Sequence, residues 1–107
     1  PSPWIAGGMV ARDTGIGMAT DGMAGAVVVM GGAGDGEQGP LLTHCGEFVL
    51  LVGLSGDAVL DVDGRSIELA PRASLALPAQ TRWSWSRPSE DHSALVVTLP
   101  ADAVELV

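Results

Sequence analysis

Few side chains in this sequence could do chemistry, and three of them stand together in "THCGEF". His44, Cys45 and Glu47 combine an imidazole, a thiol and a carboxylate. An imidazole and a carboxylate can hold a divalent metal ion, and a thiol with an imidazole is a pair used in nucleophilic catalysis. A tight metal site takes three or more protein ligands, and adjacent residues on extended chain point to opposite faces. These three residues alone therefore complete neither kind of site.

A second feature is a pair of tryptophans near the end of the chain. Trp83 and Trp85 are separated by Ser84 alone, and residues two apart on a strand share a face. Two indoles on an inward face can stack on a planar or sugar-like ligand, or they can simply fill a small barrel. Both interpretations stay open. Arg82 should face outwards, where we expect it to form salt bridges at the rim.

The remaining polar candidates favour structural roles. Asp57, Asp61 and Asp63 lie on the same face of one predicted strand, with Val59 between the first two, which predicts a solvated face rather than an acid/base or calcium site. His92 is predicted to lie in a surface loop, and Cys45 to be an ordinary buried thiol.

Short β-strands must position these residues. Helical patterns are scarce, and 15 Gly and seven Pro separate short apolar segments rich in Val and Leu, which is typical of a sandwich or barrel. Asp63-Gly64 predicts a tight hairpin turn, and a glycine-rich loop covers 31–40. Strands are predicted over 9–13, 26–30, 41–44, 47–54, 57–63, 65–69, 73–77, 81–86 and 93–99, with a strand or short helix over 100–107.

Size and composition limit the class of protein. The 107 residues, 47% of them hydrophobic, predict one domain over 1–107 with one core and exclude a disordered chain. No apolar run reaches the length of a membrane span, and no secretory signal opens the chain. One cysteine excludes an internal disulfide framework. Together these features favour a cytoplasmic protein.

The charge argues against two classes of partner. The sequence contains thirteen acidic residues, five Arg and no Lys, which gives a net charge of −8. An acidic surface repels phosphate groups, so we expect no nucleic-acid partner and no membrane partner. The excess of acidic over basic residues is itself expected to keep the protein soluble.

From Thr43 onward the order of elements resembles the cupin superfamily, whose members usually bind a metal. The likeness rests on a Glu before a long apolar strand in "GEFVLLVGL", on the hairpin "GDAVLDVDG", and on "LALPA" ahead of an aromatic strand. The upstream "ARDTGIGMATDGMAGAVVV" is similar to the leading strands of small stand-alone cupins. The resemblance implies an all-β fold, a small double-stranded β-helix or jelly-roll-like barrel, and a homodimer that exchanges terminal strands.

The metal motifs of the superfamily are degenerate here. Its members hold Fe, Mn, Zn or Ni through two His and a Glu of a first motif and one His of a second. By this resemblance, His44 and Glu47 match the first motif at a shortened spacing, and Leu42 stands where the other His belongs. Pro78 matches the second motif, but Trp83 occupies the position of its metal-binding His.

The leading functional hypothesis is therefore a cupin that binds a small molecule in its barrel and carries no cofactor. The predicted ligand-binding residues are His44, Glu47, Trp83 and Trp85. An alternative is a metal-dependent oxygenase, isomerase or lyase in which His44 and Glu47 hold the ion. A second alternative is a structural or interaction module with a filled barrel. The sequence names no ligand and does not decide whether the protein is an enzyme.

Overall fold

The structure, a computed structural model, describes residues 10–30, 41–86 and 91–107. Most of these residues are in strands, as the sequence predicts, and the loop predicted over 31–40 lies outside them. The elements are β1 (Val10–Asp13), α1 (Ile16–Ala19), β2 (Gly25–Met30), β3 (Leu42–His44), β4 (Phe48–Ser55), β5 (Ala58–Val62), β6 (Arg65–Leu69), β7 (Ser74–Leu77), β8 (Trp83–Trp85), β9 (Ser93–Leu99) and β10 (Val104–Leu106).

The strands form two antiparallel five-stranded sheets. The first sheet has the order β1-β2-β9-β4-β7, and the second has the order β10-β3-β8-β5-β6. Strands far apart in sequence are therefore neighbours, as when β4 pairs with β9 through Phe48↔Leu99. This topology confirms the predicted all-β barrel and places β3, β8 and β5 side by side, which brings His44 and both tryptophans into one sheet.

Alternating side chains build the core between the sheets. Along β4, Val49 and Leu51 are fully buried while their neighbours are partly exposed, and β9 buries Ala94 and Val96 in the same rhythm. This is the period of two expected for strands with one face on a core. The buried hydrophobic cluster comprises Val29, Leu42, Val49, Leu51, Ala58, Leu60, Leu69, Leu77, Trp83, Trp85, Ala94 and Val96.

A tight turn connects β5 and β6, and the last element of the described chain is a strand. Asp63 and Gly64 both have positive φ, 48° and 83°, as a type I′ hairpin turn between β5 and β6 requires. The terminal segment predicted as a strand or short helix forms β10, which pairs with β3.

The four-residue helix α1 was not predicted; it begins after Gly15, whose φ is 87°. In the described part of the chain, no helix is long and apolar enough to cross a bilayer.

Candidate functional site

The two tryptophans of β8 are buried, as the cupin resemblance implies. Trp83 and Trp85 are 0% and 2% exposed. β8 lies between two strands, with Leu42 of β3 and Val62 of β5 both paired to Trp83, and Leu60 of β5 paired to Trp85. Because β8 is the middle strand of its sheet, both indoles lie between the two sheets.

His44 also points inwards and connects the two sheets. It is the last residue of β3 and is 1% exposed. Its Nε2 lies 2.8 Å from the carbonyl oxygen of Leu77, which ends β7 in the other sheet. Gln80 donates its backbone N–H to the His44 carbonyl over 2.8 Å, so both the backbone and the ring are fixed against the turn that precedes β8.

These contacts fix the hydrogen-bonding role of each His44 nitrogen. A carbonyl oxygen only accepts, so Nε2 carries the proton, and in the neutral ring Nδ1 is then an acceptor. Nδ1 is buried and has no hydrogen-bond partner among the described residues.

Trp83 lies beside His44, and its indole N–H is a donor that complements the acceptor Nδ1 of His44. The two ring centroids are 6.2 Å apart, and the rings meet edge to face at 69°. The indole Nε1–H of Trp83 is likewise buried and makes no hydrogen bond within the described ranges. We refer to Nδ1 of His44 and Nε1–H of Trp83 as the acceptor–donor pair. Buried polar atoms of this kind cost about 1–3 kcal/mol each when left unsatisfied, so native proteins seldom keep them.

The second tryptophan is satisfied by a residue that sequence reasoning missed. Trp85 donates its Nε1–H to Nε2 of His92 over 3.0 Å, and the ring centroids are 6.4 Å apart. His92 is 1% exposed, so the prediction of a surface loop residue was wrong. Its position just before β9 places the ring over the end of β8, a contact between the two sheets that no local pattern signals.

The hydrogen bond requires a neutral His92. Nε2 accepts only when it carries no proton, so the neutral ring holds its proton on Nδ1. Burial lowers the pKa of His92 below its usual 6.5, while the backbone of Ser55 and the charges of Asp91 and Asp57 act in the opposite direction. Burial has the largest effect of the four.

Glu47 and Cys45 lie on the outside. Both are exposed and line a surface groove with Met23, Gly46 and Pro100. The prediction of a buried Cys45 was wrong, because His44 uses the inward position and the next residue therefore turns outwards. The structure thus brings His44, Trp83 and Trp85 together inside the barrel, with the Glu47 side chain in the outer groove.

Asp61 of β5 and Asp63, which follows β5, belong to the outer face, as predicted. Asp63 accepts the backbone N–H of Arg82 over 3.2 Å, and Asp61 accepts the hydroxyl of Ser66 over 3.2 Å. Arg82 is exposed. These side chains line an open groove on the outside of the second sheet.

The described donors do not fit the metal ion that the cupin resemblance implies. In residues 10–30, 41–86 and 91–107, no three His, Cys, Asp or Glu side chains converge on a point where they could hold an ion. Nε2 of His44 is bonded to Leu77, and Glu47 is exposed. Trp83 offers only an N–H donor, which cannot ligate a metal.

Comparison with known proteins shows likeness in fold alone. No family model and no curated protein matches the chain. Among solved structures, Streptomyces Pac13 with uridine superimposes with a TM-score of 0.72 at 16% identity, covering 94% of this chain and 79% of Pac13. A cupin superfamily protein from Desulfitobacterium hafniense has a TM-score of 0.67 at 22% identity, covering 85% and 76% of the two chains.

A third structure gives the same result. KdgF from Halomonas sp. has a TM-score of 0.69 at 17% identity, covering 87% of this chain and 81% of KdgF. The agreement extends over most of each chain and over both sheets of the barrel, so this protein has the cupin fold.

Proposed function

We propose that this protein binds a small molecule inside its barrel without the help of a metal ion. The acceptor–donor pair is the observation that supports this function. His44 and Trp83 are 1% and 0% exposed, and each holds a polar atom that a ligand could satisfy. A molecule that bonded to both atoms would offset the cost of burying them. Trp85 would add an apolar ring surface beside them.

The comparisons support a ligand-binding role for a fold of this kind. Pac13, described as a nucleoside dehydratase, has been solved with uridine. At 16% identity this likeness carries no information about the ligand of the present chain. Nucleosides therefore enter the panel below only as one of several classes of compound.

The direct test observes the indole N–H signals by nitrogen-15 NMR. The chain has three tryptophans, and the variants Trp83→Phe and Trp85→Phe assign two of the signals. A panel of nucleosides, neutral heterocycles, carboxylates and apolar rings is then titrated. We expect at least one compound to shift the Trp83 signal saturably, with the shift lost in His44→Ala. A panel in which nothing moves the Trp83 signal would refute binding in the barrel.

A filled barrel is the second candidate, and the near-complete burial of both indoles favours it. In that case the protein would act as a structural or interaction module. Its expected result is the unresponsive Trp83 signal just described, together with slow hydrogen exchange at that indole, because a packed core opens only by unfolding.

Elemental analysis of the purified protein distinguishes the metal-dependent enzyme from the ligand-binding protein and from the filled barrel. The proposed function expects no stoichiometric metal. Stoichiometric Fe, Mn, Zn or Ni that is lost on His44→Ala would favour the enzyme instead.

The homodimer and the cytoplasmic location remain proposals from the resemblance and the composition. Sedimentation velocity checks the dimer, which should have twice the 10.8 kDa mass of the chain.

A further inference from the structure

We propose that the ligand of the barrel is a neutral molecule that donates one hydrogen bond and accepts another. This inference rests on the proposed function and specifies the chemical class of the ligand. Cyclic amides and alcohols share this chemistry, and the experiment below distinguishes them.

The lack of interior charge argues for a neutral ligand. The buried polar residues of the described chain are His44, Thr81, Ser84, His92 and Thr98, and no carboxylate or guanidinium is among them. An ion taken into such an interior would lose its hydration without gaining a counter-charge, which is strongly unfavourable. The exposed Glu47 would also repel an anion at the outer groove.

The acceptor–donor pair specifies the polar groups of the ligand. Because the Leu77 carbonyl takes the proton on Nε2 of His44, Nδ1 of the neutral ring is an acceptor and can take a donor from the ligand. Trp83 has only an N–H to give, so it needs an acceptor. A ketone would satisfy Trp83 and leave Nδ1 of His44 without a partner. A lactam satisfies both with its N–H and carbonyl, and an alcohol does so with one hydroxyl.

The residues that flank the acceptor–donor pair are apolar and buried. The neighbouring residues Leu42, Leu60 and Trp85 are at most 2% exposed. The indole N–H of Trp85 is already bonded to His92, so Trp85 presents carbon surface. The ligand is therefore expected to carry an apolar body, and the probes below are built on one small ring.

The test compares four ligands built on the same five-membered ring: 2-pyrrolidone, cyclopentanol, cyclopentanone and pyroglutamate. The first two donate and accept, the third only accepts, and the fourth adds a carboxylate to the lactam. Each is titrated into the full chain near neutral pH while the Trp83 indole signal is recorded. We expect 2-pyrrolidone or cyclopentanol to bind at least about tenfold more tightly than cyclopentanone and pyroglutamate.

A matched pair of variants tests the role of Trp83. Trp83→Phe removes the donor of the pair and should weaken the preferred ligand by about tenfold, as followed by calorimetry. Trp85→Phe makes the same change in size but leaves the pair intact, so it should keep the preference among the four ligands.

The outcomes separate this inference from the proposed function. Equal or tighter binding of cyclopentanone or pyroglutamate would overturn the ligand class while leaving the barrel as a binding site. The same conclusion follows if the only compounds of the larger panel that shift the Trp83 signal are charged or lack either a donor or an acceptor. If no compound shifts it, both proposals fail.

Discussion

Trp85 donates a hydrogen bond to His92 across the barrel interior, with 3.0 Å between the two nitrogens. Trp85 belongs to β8 in one sheet, and His92 directly precedes β9 in the other. His44 and Leu77 connect the sheets in a similar way at 2.8 Å. Two buried histidines therefore link the two halves of the fold by polar contacts.

Stability should fall as the pH falls below 6.5. The pKa of His92 is lowered by burial, so the folded chain favours the neutral ring and the unfolded chain binds the proton more readily. The stabilising contribution is fully present above 6.5 and is lost as the pH falls to the lowered pKa of the folded state. Its slope is at most about 1.4 kcal/mol per pH unit for one proton.

Urea denaturation at several pH values between about 7.5 and 5 measures this effect. The control is His92→Gln, which removes the titrating ring, and the difference between the two proteins isolates its contribution. An identical pH dependence in both would show that His92 does not titrate with folding.

The two tryptophans should respond differently to the same substitution. Trp85→Phe leaves Nε2 of His92 buried without its donor, whereas Trp83→Phe removes an N–H that makes no bond within the described part of the chain. Since the loss of size is equal, we expect Trp85→Phe to be more destabilising by about 1–2 kcal/mol. Urea midpoints of both variants give the comparison, and equal losses would contradict the assigned hydrogen bond.

Gly46 should tolerate no side chain. An added Cβ would lie 2.6 Å from Cβ of Ala103 and would also contact the carbonyl oxygen of Leu99. We expect Gly46→Ala to reduce the free energy of unfolding by about 2–3 kcal/mol, because the clash involves backbone. The control is Gly64→Ala, where a Cβ meets open space and only the positive φ opposes it. Gly64→Ala should lower the free energy of unfolding by about 1 kcal/mol. A smaller loss for Gly46→Ala than for Gly64→Ala would disprove the close packing.

Glu47→Gln tests whether Glu47 shares the ligand site that the sequence assigned to it. Its side chain is exposed in the groove with Cys45, so we expect ligand affinity to stay within about twofold and stability within about 0.5 kcal/mol. Calorimetry with the preferred ligand of the barrel measures the affinity. A loss of ligand affinity of tenfold or more in Glu47→Gln would show that Glu47 belongs to the binding site.

Local patterns were sufficient for much of the fold. The bounds of β6 and β9 agree with the predicted ranges 65–69 and 93–99. The Asp63-Gly64 turn follows from the conformational freedom of those two residues, and the shared face of Trp83 and Trp85 follows from the period of a strand. Each of these features depends on residues that are neighbours in the chain.

The order of strands and the composition of the site depend on residues that are far apart in the chain. Only β1–β2 and β5–β6 are sequential neighbours among the pairs of the described sheets, and no local pattern specifies that β2 and β4 both pair with β9.

The sequence by itself therefore determined the strands, the turn and the shared face of the two indoles, because side-chain alternation and backbone sterics act over a few residues. Tertiary structure alone decided that His92 lies against Trp85, that Glu47 remains outside, and that His44 is bonded to Leu77. These contacts depend on how the two sheets meet, which is set by the packing of the whole core.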